Sequence, residues 1–214
     1  PILTGMRLAL TSLTVTVILG ITLSSIFGHG FSIPQPQVLT NIHLTWGLGG
    51  WVALLVISVA YQVVPMFQIT PPYPPVVTRW LVPMIFLSIS TWTGLYFLSN
   101  FYQWSNLFPQ GLAGLLGVGL TLFAITTLYL QAHRLRKIPD VTLNYWRVGM
   151  VGLLLTVGGG LLGILWPPVA TLPFYDILLG ILCIAGFILP VMQGMLYKII
   201  PFLVWLHLQN RQLE

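Results

Sequence analysis

Four histidines, His29, His43, His133 and His207, are the side chains of this chain best suited to chemistry. Two of them sit in FGHGFSIPQPQVLTNIHLTWGLGGW (Phe27 to Trp51), a stretch without a single charged residue. Imidazole suits iron and copper alike. After His43 come Gly47 and Gly50, at i+4 and i+7 and therefore on one helical face. A face with one ligand and then no side chains lets a flat macrocycle lie against the backbone, with Trp46 and Trp51 as walls. On that reading His43, Gly47 and Gly50 bind haem b, or His43 and His29 together hold one copper or the two axial positions of one haem. His43 is expected to open an apolar segment, where the positive end of the helix dipole favours a neutral, ligating imidazole. The same glycine spacing equally allows close helix packing, and an imidazole in wet headgroups needs no ligand.

The remaining candidates read more simply. His133, in QAHRLRKIPD, belongs with its three basic neighbours to a headgroup-binding patch, and His207, in VWLHLQ after Pro201, to an interfacial continuation of the last helix. The single cysteine, Cys183, lies in an apolar run, so neither a disulfide framework nor a cysteine metal site is available. Met66, Met84, Met192 and Met195 read as core. Asp176, Arg147 and Lys198 lie near the ends of apolar segments and can snorkel, while Gln62 and Gln193 read as modest polar lining. No carboxylate stands at a segment centre, which argues against a proton-driven transporter. A permease would need broken helices with a polar site, and Pro83 and Pro190 adjoin no charge. Phosphate loops, hydrolase elbows and paired carboxylates are absent from the sequence, so no catalytic residue is assigned.

The elements that must position these residues follow from composition. With 57% hydrophobic and 5% charged residues and a mean hydropathy of +0.93, the chain has too few charges to cover a soluble domain. Six segments reach the ~20 apolar residues that a membrane helix needs: 6–27, 43–67, 78–99, 111–137, 141–166 and 174–207. The expected fold is an all-α, polytopic membrane helical bundle, with residues 1–214 forming a single transmembrane domain. The first run is too long for a signal-peptide core and lacks a small-residue cleavage site, so it is expected to be a retained helix.

A net charge of +5 would suggest nucleic acid in a soluble chain; here the cations sit around the spans and act as topology signals, so the expected partner is the lipid bilayer and no nucleic acid. Connections 28–42, 100–110 and 167–173 hold no Lys or Arg, whereas Arg7, Arg79, Arg134, Arg136, Lys137, Lys198 and Arg211 lie toward the other side. Both termini are therefore expected in the cytoplasm, with His29 and His43 at the outer face and His133 and His207 at the inner one. Gly158 to Gly160 and Gly163 are expected to pack against the glycine-rich fourth span. Tyr61-Gln-Val-Val-Pro65 and Tyr197-Lys-Ile-Ile-Pro201 share a pattern at the ends of the second and sixth spans, as a parallel repeat would.

Four stretches carry a resemblance: HLTWGLGGW (His43 to Trp51), AYQVVPMFQITPPYP (Ala60 to Pro74), NYWRVGM (Asn144 to Met150) and GMLYKIIPFLVWLHLQ (Gly194 to Gln209). Through them nearly the whole chain resembles a group of bacterial membrane proteins that are similar to subunit I of haem–copper oxidases and to the NnrS family. The resemblance implies a helical bundle in the bacterial cytoplasmic membrane, with haem or copper held by histidines near the outer face. Onto this sequence it carries over His43 in its H-x-x-x-G setting; His29 matches no pattern. Catalytic oxidases of that kind need more histidines than the four here and more helices than six, so oxygen reduction by this chain alone is not expected. The expectation is a haem- or copper-associated protein, in or accessory to respiratory electron transfer or nitric oxide handling. The alternative is a cofactor-free structural or assembly subunit that packs against other membrane subunits of a larger complex.

Overall fold

Among the described residues, six helices are long and apolar enough to cross a bilayer in the computed structural model: α1 (Ile2–His29), α2 (Pro36–Gln68), α3 (Pro75–Phe101), α4 (Leu107–Ala132), α5 (Val141–Leu165) and α6 (Tyr175–Gln209). The structure describes residues 1–29, 35–103, 105, 107–135, 138 and 140–211, the side chains of 29, 210 and 211 excepted. A short helical turn, Pro167–Ala170, stands between α5 and α6. The chain is thus all-α and polytopic, as its composition implies. Leu87, Val118, Ile125 and Leu155 are exposed large apolar side chains of the kind that lipid covers and water does not.

Helices start where the local chemistry allows. Pro36 and Pro75 stand in the first turns of α2 and α3, where the missing N–H is one of the orphans in any case. Asp140 caps α5, its carboxylate accepting from Thr142 N at 2.9 Å. The helices run on through Pro65, Pro83 and Pro201. Two stretches are π-helical, Thr45–Ala53 in α2 and Leu182–Ile188 in α6. Such insertions widen the turn and recur at functional positions.

The helices gather in two compact units. The first comprises Pro1–Gln62 with Tyr73–Gly119. Its centre is the π stretch of α2, against which α1 packs closely: a Cβ on Gly47 would meet Thr16 Cγ2 at 3.3 Å, and one on Gly50 would meet Ser12 Cβ at 3.0 Å. Fully buried Ile85 and Ile89 bring α3 to the same core. Trp46 is clamped there, its Nε1 donating to Thr93 Oγ1 at 2.9 Å and its ring meeting Phe86 edge-on. Asn41 Nδ2 donates to Tyr96 Oη at 2.9 Å, so the Trp46 and Asn41 side chains enter the apolar layer with partners of their own.

The second unit comprises Val63–Pro72 with Leu120–Glu214. Here α5 lies against α6: Gly152 faces the Gly186 backbone, Gly149 meets Phe187 O and Val191, and Gly194 receives Trp146 and Tyr145. Two glycines of the run in α5 also turn toward α6. Gly159 meets Leu179 and Gly163 meets Tyr175, whose hydroxyl donates to Gly159 O at 2.8 Å. Gly158 and Gly160 have open space in place of a neighbour. The physical reason is chain connection: α5 and α6 are consecutive, and a short link makes them antiparallel neighbours whose backbones can close up wherever no Cβ intervenes.

Candidate functional site

His43 is half-buried on α2 and packs toward Gly20 of α1, where a Cβ would lie 3.1 Å from the imidazole Cε1. Its Nδ1 is buried without a hydrogen-bond partner among the described residues. Beside the ring lies an open pocket of about 180 Å³, lined by Thr16, His43, Leu44, Gly47, Trp51 and Val52 among others. This brings His43, Gly47 and Trp51 together on one surface. Trp46 stands apart from it, buried and bonded to Thr93.

Two features differ from the sequence expectation. The helix begins at Pro36, so His43 lies about two turns inside it, beyond the first turn in which the dipole acts on a side chain. The extra turns come from PQVLTNI, whose Pro, Gln, Thr and Asn keep it outside an apolar count. Gly47 and Gly50 are met by Thr16 and Ser12, so most of the glycine face is taken by α1. His29 is the last residue of α1; its side chain lies outside the described residues, and so does any pairing with His43.

Haem and copper, the groups implied by the resemblance, can be tested against this geometry. Sites for drug-sized ligands run to roughly 300–1,000 Å³, so a pocket of about 180 Å³ does not enclose a macrocycle. No group of three or more His, Cys, Asp or Glu side chains gathers among the described residues. A ligating imidazole also normally donates its second N–H to an acceptor, and the buried Nδ1 has none among the described residues. The described residues therefore fit one imidazole ligand and do not fit a complete centre.

His133 is satisfied within its own helix end. His133 Nδ1 donates to Tyr129 O at 2.9 Å, one turn back, and its ring lies over that tyrosine. His207 is exposed on the continuation of α6, which runs through Pro201 as one helix.

Sequence reasoning missed the most deeply buried polar pair. Gln131 Nε2 donates to Gln68 Oε1 at 3.0 Å; the two residues are 1% and 3% exposed, and Gln68 Nε2 and Gln131 Oε1 have no partner among the described residues. Gln62 and Gln193, expected as polar lining, are both exposed. Nothing in residue type separates the two sets; helical phase could have, since Gln68 follows buried Tyr61 and Val64 by seven and four positions. The Asp140–Lys198 ion pair, with Lys198 Nζ 2.8 Å from Asp140 Oδ2, was also not foreseen. Compared with protein-family models, with curated proteins and with solved structures, the chain matches none of them.

Proposed function

We propose that this chain is an accessory, haem- or copper-associated membrane protein of the haem–copper-oxidase-like kind, offering one histidine ligand at His43 to a centre completed from outside the described residues. The carrying observation is the half-buried His43 imidazole beside an open pocket. A single imidazole supplies affinity for haem iron or copper without supplying catalysis. The chain then serves respiratory electron transfer or nitric oxide handling as a ligand donor or scaffold. The absence of Lys and Arg from connections 28–42, 100–110 and 167–173 supports termini on the cytoplasmic side of a bacterial inner membrane, with His43 toward the outer face.

The test is an optical spectrum of the purified chain, air-oxidised and dithionite-reduced, with metal analysis of the same sample. A reduced α-band or bound copper that disappears in His43→Ala supports the reading. A featureless spectrum from copper-free protein ends it.

A second reading is favoured by the packing of Ser12 and Thr16 onto Gly50 and Gly47. Those contacts give the glycine face an architectural purpose with no cofactor, as expected of a structural or assembly subunit whose exposed aromatics meet other membrane chains. Purification of the chain as a stable monomer with no accompanying protein would remove that reading.

A further inference from the structure

The two helix pairs α1–α2 and α5–α6 show the same construction in separate units. In each, a helix lies antiparallel on the π-helical stretch of its successor, Thr45–Ala53 in the first pair and Leu182–Ile188 in the second. In each, a small residue meets a glycine inside that stretch: Ser12 on Gly50, and Gly152 on Gly186. One turn further on, the hydroxyl of Thr16 returns to Ser12 O at 2.8 Å, and that of Thr156 to Gly152 O at 2.9 Å. At the far end, Gly20 faces His43, and Leu179 is faced by Gly159, one position before the counterpart of Gly20.

Antiparallel packing alone would make any one of these contacts imply the next, because contacts along such a pair conserve the sum of the two positions. Independent markers decide the register. Arg7, Leu13, Thr16, Val17 and Gly20 recur 140 positions on as Arg147, Leu153, Thr156, Val157 and Gly160. Gly50, Tyr61 and Pro65 recur 136 positions on as Gly186, Tyr197 and Pro201. The same shift carries Thr45–Ala53 onto 181–189, which brackets the second π stretch. Sequence, helix widening and the contacts of Ser12 with Gly50 and of Gly152 with Gly186 thus agree on one pair of offsets, and the difference between them makes the connection four residues shorter in the second pair. Small residues at membrane helix contacts are common; an arginine, a threonine with the same back-bond, a π stretch and a Tyr-to-Pro spacing that all keep one register are not explained by that preference.

We propose that α1–α2 and α5–α6 are two copies of one duplicated helical hairpin, and that the position held by His43 in the first copy is held by Leu179 in the second. The ligand-bearing position is therefore present once, on a scaffold that is present twice. His43 and Leu179 are both half-buried, and each lies against a glycine of the preceding helix. The surrounding positions stay small or aromatic in kind: Gly47, Gly50 and Trp51 correspond to Cys183, Gly186 and Phe187. The statement about the ligand position deepens the proposed function and rests on it; the duplication does not.

The duplication is tested by grafting within the full chain. Residues 152–160 (GLLLTVGGG) replace residues 12–20 in register in one variant, and replace residues 14–22 in a second, so the two differ in graft register by two positions at nearly equal composition. Unfolding temperatures in detergent are compared with that of the unaltered chain. The duplication requires the in-register graft to stay within about 5 °C of the unaltered chain and the shifted graft to fall by roughly 10 °C or more. Equal losses in both grafts, or a larger loss in register, overturn it. The ligand position is tested separately, by haemin titration of the unaltered chain and of Leu179→His. If the unaltered chain binds haemin through His43, a second equivalent in Leu179→His supports the counterpart site, and one equivalent in that folded variant overturns it. If the unaltered chain binds none, the proposed function fails, while the grafts still decide the duplication.

Discussion

Asp140 and Lys198 are bonded at 2.8 Å, joining the residue that caps α5 to the fourth turn from the end of α6. Partial burial pushes the Asp140 carboxyl up, but the hydrogen bonds from Lys198 and Thr142 and the Lys198 charge outweigh it, so the group titrates below its ordinary value of 3.8. The folded state then holds fewer protons than the unfolded one. The pair's contribution is complete above 3.8 and is lost as the pH falls through the lower, folded value.

Acid titration of stability should reveal this pair. The unaltered chain is expected to lose unfolding temperature below 3.8, and Asp140→Asn to lack that part of the loss. Asn still caps a helix, so Asp140→Ala is expected to cost about 1 kcal/mol more than Asp140→Asn. Identical pH profiles for the unaltered chain and Asp140→Asn would refute the assignment.

Two glycines of one helix should respond in opposite ways to the same substitution. A Cβ on Gly152 would run into the backbone of Gly186, which has no side chain to move aside, whereas one on Gly158 meets nothing within 4 Å. Gly152→Ala is expected to destabilise by about 1–3 kcal/mol. Gly158→Ala should be neutral or stabilising by up to ~1 kcal/mol, since alanine is the better helix former. Chemical unfolding in detergent measures both, and a Gly158→Ala loss as large as that of Gly152→Ala would contradict the packing.

The amide pair should be strongly non-additive. Gln68→Leu or Gln131→Leu alone strands the other buried amide without its partner and is expected to cost about 1–3 kcal/mol. The double variant removes both polar groups and should cost less than the sum of the two. A cycle with no coupling energy would show that the two amides do not act together.

Much of the fold could be read from periodicity and length. The sixth span was expected at 174–207 and is found at Tyr175–Gln209, because its apolar run is continuous and its flanks are polar. An apolar count starts the second span too late, at 43, since helix α2 starts with residues whose polarity hides their helical state. That shift changes the chemistry of the candidate site, taking His43 out of the dipole's reach. The partner of the α5 glycines was likewise illegible, because a glycine advertises a close approach without saying to which helix.

Composition by itself determined that this chain is helical, apolar and crosses a membrane, since so few charges over so many apolar residues leave a bilayer as the only solvent that suits the chain. It also marked His43, Gly47 and Gly50 as one face. Only the tertiary structure decided what covers that face, where Ser12 and Thr16 close on the two glycines while His43 keeps a small pocket and an Nδ1 without a partner among the described residues. The reason is that spacing along a helix fixes direction, whereas occupancy depends on residues distant in sequence whose approach is set by the packing of another helix.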